Sequence, residues 1–510
     1  MSRKNAHSGA SLALVALLCS AAAAVRAGET TQITTNLTVE QDWDSNVFYK
    51  EKDPNSSALT IVRPALTIEN HGTLGHFIVN GWVSDHTFWD EHDLDGTDRG
   101  VGGDLDRQLL PRLWIFGSGS YQRIQAHDEI RGPTQVSIGG ESPGVPGQPV
   151  ITPGQLVEGA VPTLDLGQGQ LGLRYLLSPL NKLSLSGGPY TITYLPTPSV
   201  PPSDLRDRNG WFANLTLDHT LDPLDTLSFS IDANSTEFAD TELNPFTVAD
   251  PSNPHTVPLT TGTTDSDLQS FTVSWGRSWS ELWSTNVALG VRRLETQNMG
   301  QPQVITRVAP NPAAGTVTPF VDITTASSDD VGPGLIGALS LQRTLSRGNV
   351  VLSYSRETRT TSSVATSNVN VDTVSLQYHW RLAEYVTFTA YGAYEHFTSA
   401  NHFPEIQPAT YVADSFNPIT GPEFTCAQGS LVETGSGADK GGQCELSAHN
   451  RLQSNLWNTW ARIDWQLQKR LATFVVLRFN DRSGDPALFG NPYDKWNVGV
   501  GFHYDYDFTY

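Results

Sequence analysis

The chain has 510 residues, with 53 acidic against 32 basic side chains and a formal net charge of -21. A balance that acidic excludes nucleic acid as an expected partner, because affinity for a phosphate backbone comes largely from Lys and Arg. No run of about 18 apolar residues follows the N-terminus, which excludes a transmembrane helix, and the cysteines show no zinc spacing.

Residues 1–27 combine a basic start at Arg3 and Lys4, the apolar stretch SLALVALLCSAAAAV, and small residues at the positions a signal peptidase reads. This is expected to be a secretory signal. Leu18 before Cys19 argues against a lipid anchor. Cleavage removes Arg3, Lys4 and Arg26 and no acid, so the mature chain 28–510 would carry -24.

From there the pattern has a period of two. TLSFSIDAN sets Leu227, Phe229 and Ile231 against Ser228, Ser230 and Asp232, and TVSLQYHWR sets Val374, Leu376, Tyr378 and Trp380 against Ser375, Gln377 and His379. Strands are predicted near 33–43, 56–69, 74–90, 99–108, 113–128, 164–177, 183–196, 208–221, 226–238, 265–279, 285–297, 328–344, 349–360, 368–381, 384–398, 450–467, 470–483 and 494–508. That makes about eighteen, with sixteen as the alternative count.

The connections alternate in length. Tight ones include 70–73, 178–182, 221–225, 346–348 and 468–470, while long Pro/Gly/Thr-rich segments fall near 129–163, 239–264, 298–327 and 399–449. Short turns on one side and long loops on the other mark a transmembrane β-barrel with periplasmic turns and extracellular loops. The expected fold is a closed antiparallel barrel of the outer membrane of a Gram-negative bacterium, reached by Sec-dependent export. Strands that begin within about ten residues of the cleavage site leave no room ahead of them for the plug of an energised receptor.

The chain ends WNVGVGFHYDYDFTY, with Phe502, Tyr504, Tyr506, Phe508 and Tyr510 on one face. These rings read as the lipid face of the closing strand, and Phe508 and Tyr510 as the signal that the barrel-assembly machinery recognises. LTVEQDWDSNVFYK followed by SALTIVRPALTIEN resembles the opening of the β-barrel porin type 2 family, strongest over residues 34–90. That resemblance implies an outer-membrane protein associated with exopolysaccharide export, and hence polysaccharide-export components as partners beside outer-membrane lipid and lipopolysaccharide.

Several motifs have a bland reading. GQGQLG at 167–172 matches a dinucleotide fingerprint, but a strand rather than a helix follows it, so close-packed strand glycines are the expectation. Glu91, Asp93 and Asp95 begin a calcium-loop pattern that lacks its closing acid, because Gly102 stands there, so the expected role is a solvated loop with at most a weak divalent-ion site. His396 lies near Ser399 in the manner of an outer-membrane lipid hydrolase, yet residues three apart on a strand point to opposite faces. Asp85 with His86, and Asp218 with His219, are neighbours that diverge in the same way. Cys426 and Cys444 bracket one Gly-rich stretch and are a disulfide candidate in an oxidising compartment.

Parity points Arg63, Arg174, Arg292, Arg381, Arg462 and Arg478 inward, with Asp218, Asp232 and Asp464. An arginine on the lipid face near the midplane costs about 2–4 kcal/mol, so an inward position is favoured. The expected function is a pore without cofactor or catalysis, passing a polysaccharide or other anionic polar solute. An outer-membrane barrel enzyme and a non-conducting component of a secretion complex are the alternatives.

Overall fold

Apolar and polar side chains that alternate along every strand can both be satisfied when the sheet closes on itself, one face meeting hydrocarbon and the other a shared interior. The computed structural model describes residues 30–48, 50–125, 163–195, 207–238, 241–248, 255–261, 265–297, 301–311, 316–326, 333–360, 368–399, 405–408, 410–411, 424–425, 430–434, 441–446, 453–484 and 492–509. The expected signal segment therefore lies outside the described residues, as do most of 129–163, Cys426 and Tyr510.

Eighteen strands build the wall: β1 Thr30–Asp44, β2 Ser57–Gly72, β3 Gly75–Phe88, β4 Gly96–Leu110, β5 Leu113–Gln125, β6 Thr163–Ser178, β7 Asn181–Leu195, β8 Arg208–Asp222, β9 Asp225–Phe238, β10 Asp265–Ser280, β11 Trp283–Gln297, β12 Pro333–Leu345, β13 Gly348–Thr360, β14 Asn368–Ala383, β15 Val386–Ser399, β16 Gln453–Gln468, β17 Leu471–Gly484 and β18 Tyr493–Thr509. Each pairs antiparallel with its chain neighbours. β18 closes the ring on β1 in a register running from Gln32 opposite Thr509 to Asp44 opposite Asn497. A closed sheet has no edge to aggregate or to meet lipid unpaired.

One face of this wall carries large exposed apolar side chains in its middle band, among them Leu215, Ile231, Leu289, Leu352, Leu376 and Val500. Aromatic side chains flank that band. Trp43, Trp211, Trp457 and Trp496 are exposed towards the long-loop end, and Tyr175, Trp279, Trp465 and Phe508 towards the tight-turn end. Such paired girdles are the two membrane interfaces. On β18, Phe502, Tyr504 and Phe508 lie on this outward face, and the Arg470 guanidinium sits 4.1 Å over the Tyr506 ring.

The inner turns are more regular than the sequence reading anticipates: 73–74, 111–112, 179–180, 223–224, 281–282, 346–347, 384–385 and 469–470, each two residues long. Two-residue hairpins ordinarily need positive φ to match the strand twist, yet Asp53 is the one non-glycine residue with positive φ among those described. A bulge before the turn relieves the mismatch in six of these hairpins, where the register skips Leu109, Leu177, Leu221, Trp279, Leu382 or Leu467. Each skipped residue is an exposed apolar side chain at the inner boundary. The carbonyl of the second turn residue then accepts a backbone N–H from the next hairpin, Leu74 from Gln108, Arg112 from Leu176, and so on round the rim to Arg470 from Asp505.

The outer connections are not featureless. Thr241–Val248 pairs with His255–Thr261 inside 239–264, and Gln301–Asn311 pairs with Thr316–Ala326 inside 298–327. The latter hairpin joins Glu405–Pro408, Ser430–Thr434 and Gly441–Leu446 in a five-stranded sheet. Pro and Gly density concealed these strands in the sequence. The first outer connection packs against the wall: Val47 joins Leu59, Ile61, Phe88, Leu94 and Tyr493 in a buried apolar cluster, with Phe48 against it. The glycines of 167–172 lie within β6, and the Phe116 ring covers Gly172 where a side chain would otherwise stand.

Candidate functional site

The inward face is identified by contacts that skip a strand, which side chains can make only across the concave side of a curved sheet. Tyr190 on β7 passes over Gly210 to bond Asn234 and Thr236 on β9. Arg174 on β6 reaches Asp106 on β4 at 3.2 Å. Arg478 on β17 reaches Glu40 and Asp42 on β1 at 2.9 and 3.2 Å, and its Nη1 also donates to Asn497.

All nine inward candidates lie opposite the exposed apolar face of their strand. Arg462 pairs with Asp464 at 2.6 Å and lies 3.9 Å over the Phe474 ring. Asp218 accepts from Lys182 at 2.7 Å and from the Ser228 hydroxyl. Asp232 is buried and accepts from Asn214, Ser230 and Ser270. Arg292 is buried and donates to the Asn370 amide oxygen at 2.6 Å. Arg63 lies 5.5 Å over the Trp82 ring, and Arg381 is exposed near the inner mouth. Neither of these two has a carboxylate partner among the described residues. Three of the six arginines thus pair with the chain's own acids.

Solvent access changes along the barrel. Arg174 and Lys182, nearer the inner mouth, expose 37% and 42% of their side chains. At the outer end Arg478 exposes 12% and Asp42 none, while Lys495 and Asp44 bond at 2.8 Å with 6% and 4% exposure. Charged side chains towards the inner mouth keep solvent contact, and those of this cluster at the outer end, beside Val47, are buried.

Two constellations escaped the sequence reading. At the inner mouth Glu69, His71, His76, Asp104 and Asp106 converge, with His71 Nε2 2.6 Å from Glu69, His76 Nε2 3.5 Å from Asp104, and the two rings 6.1 Å apart. Beside them Asp505 and Asp507 accept from Asn36 and Thr34. The available signal was the acid and histidine two apart at 69 and 71, with a second histidine at 76 across the tight turn at 73–74. At the outer end Ser84 Oγ lies 2.9 Å from His86 Nε2, and His86 Nδ1 lies 3.6 Å from Asp98 Oδ2, with all three residues buried. Asp85 and His86 do diverge, and Asp85 accepts from Thr97 on the outward face. Residues 84 and 86 share a face because they are two apart.

The calcium-like loop uses two of its acids internally, and Asp93 is exposed. Glu91 accepts from Asn55, and Asp95 accepts from the Phe88 N–H while it contacts His92 across a single turn of 3-10 helix. Among the described residues no three His, Cys, Asp or Glu side chains are placed to hold a metal ion, so Glu91, Asp93 and Asp95 form no preassembled site. His396 bonds Asn455 on the outward face, away from the parity of Ser399. Cys444 lies in the strand Gly441–Leu446.

No protein-family model matches this chain, and no curated protein does. Solved structures that it resembles include the siderophore receptor PirA from Acinetobacter baumannii (8% identity, 94% of this chain and 81% of that one, TM-score 0.43), OmpT, an outer membrane protein of Vibrio cholerae, lacking loop L8 (10%, 94% and 99%, 0.32), and the copper transporter OprC (8%, 88% and 61%, 0.39). This chain spans 61% of the copper transporter's length. Likenesses this distant concern fold alone.

Proposed function

We propose that the chain is an outer-membrane pore that passes a hydrophilic, hydroxyl-rich solute, with a polysaccharide chain as the substrate class that the resemblance over residues 34–90 implies. The observation that carries this reading is the wet charged interior: inward Arg174, Lys182 and Asp218 keep solvent contact inside a barrel too wide for side chains alone to fill. Charge pairs leave the inner wall nearly neutral and rich in donors and acceptors, which suits shallow, repeated hydrogen bonding to hydroxyls. Carboxylates of an acidic polymer would find a cation at Arg63 and Arg381. Lipopolysaccharide, the barrel-assembly machinery and export components are the proposed partners, and Phe508 and Tyr510 the proposed assembly signal.

The purified barrel in a planar bilayer is expected to show single-channel steps that a soluble acidic oligosaccharide interrupts reversibly. The double variant Arg63→Gln, Arg381→Gln should shorten those interruptions several-fold without altering interruptions by a neutral oligosaccharide. A silent bilayer would leave the structural-component reading in its place.

One observation favours an enzyme, the Ser84–His86–Asp98 contact. A nucleophile needs an open approach to its oxygen, and Ser84 has 0% exposure. A fluorophosphonate probe is therefore expected to leave wild type and Ser84→Ala equally unlabelled. Labelling of the wild type that the substitution abolishes would establish a hydrolase.

A further inference from the structure

The wall is not zipped to the same height all round. Between β12 and β13 the ladder stops at Gly337 opposite Arg356, nine register pairs above the inner turn, whereas β13 and β14 pair over thirteen. Above that point residues 333–336 stay paired to β11 and residues 357–360 to β14, but not to each other. Two strands of the barrel therefore part at their outer ends.

Arg292 occupies the opening. It starts on the inward face of β11, lies against Gly334, where a Cβ would meet its Cζ at 2.9 Å, and donates Nη2 to Asn370 at 2.6 Å. Asn370 has the outward parity of Val374 and Leu376, while its neighbours Val369 and Val371 are fully buried inside. A side-chain bond between opposite faces is possible only where the wall is open. Arg292 is 6% exposed, has no carboxylate partner among the described residues, and its Nε and Nη1 have no hydrogen-bond acceptor. An ionised guanidinium buried with unfilled donors is costly, and an anion in the opening removes that cost.

The outward side of the same opening is apolar on β11 and β12, while on β13 Arg356, opposite Gly337 where the ladder stops, pairs with Asp372 at 3.6 Å. Leu335 and Leu289, at 75% and 69%, are the most exposed large apolar side chains among the described residues, and Val291 stands between them. Ten residues above the 281–282 turn on a tilted strand is about 25 Å, the height of the far headgroup layer.

We propose that the parted ends of β12 and β13 bind a net-anionic phospholipid of the outer leaflet, one whose phosphate has no ammonium in the same headgroup. Its headgroup takes the free Arg292 donors, and its acyl chains lie over Leu289, Val291 and Leu335. The facing strand edges, which no ladder closes, offer further backbone donors to the same phosphate. This site opens to the membrane and does not depend on whether the lumen conducts.

The test uses the full barrel in nanodiscs of phosphatidylcholine doped with phosphatidylglycerol that carries a photoactivatable acyl chain. Peptide mapping is expected to place most of the label on 289–291 and 335, with at least five-fold less from an equally tagged phosphatidylcholine. Arg292→Gln should abolish that preference, and Arg292→Lys should restore part of it. Folding of each variant is read from heat-modifiable gel mobility. If Arg292→Gln does not fold, the two-lipid comparison on wild type decides alone. Equal labelling by both lipids, an unchanged pattern in folded Arg292→Gln, or loss of the preference in dilute inorganic phosphate would overturn the assignment, the last by placing a free anion there.

Discussion

Arg478→Leu should destabilise the folded barrel by about 3–5 kcal/mol, the range for removing one partner of a buried charge cluster. The guanidinium joins β17 to β1 across the closing strand, holding Glu40, Asp42 and Asn497 at once. Its loss leaves two carboxylates close together with 12% and 0% exposure and no guanidinium between them. Neutralising both in the triple variant Arg478→Leu, Glu40→Gln, Asp42→Asn should recover most of the loss, because the penalty comes from uncompensated charge rather than from the missing bonds. Urea unfolding from lipid vesicles, followed by tryptophan emission, measures both. A single variant within about 1 kcal/mol of wild type would mean that the cluster is hydrated, against its low exposure.

The second large effect separates the two faces of one strand. Leu352→Arg should cost about 2–4 kcal/mol, because Leu352 faces outward in the apolar band, where an arginine meets hydrocarbon. The adjacent Ser353→Arg should cost under about 1 kcal/mol, because Ser353 faces inward beside Ser375, where water and neighbouring polar groups accept the charge. Folding yield into vesicles reads the contrast. Equal costs, or the reverse order, would be incompatible with a membrane-facing Leu352.

Much of the wall was legible. Each of the eighteen strands overlaps a predicted span, and the outward ladder Phe502, Tyr504 and Phe508 faces as its alternation requires. This works because facing is a local property: a strand alternates sides whatever its partner, and lipid accepts only one kind of side chain. Turn chemistry was read less well. The run of Leu-x-Pro-Leu at 177–180 and 221–224, with WSEL, LAEY and LQKR in equivalent places, is a repeat whose meaning appears only when the bulge is seen to turn an extra apolar residue outward. The β-hairpins inside 239–264 and 298–327 were missed because prolines at 245, 258, 302, 310 and 319 argue against regular pairing within a wall, where every N–H is needed, and less so outside it.

The sequence alone determined which residues cross the membrane, which way each side chain turns, and which connections are short. It could not determine which charges meet. Arg478 finds Glu40 at a separation of 438 residues, Arg174 finds Asp106 across an intervening strand, and Arg292 is left with an amide where the ladder opens. Those pairings depend on how the two ends of the sheet come into register when it closes. Parity along a strand carries the direction of a side chain, and only the curvature and stagger of the closed barrel place it beside a partner far away in the chain.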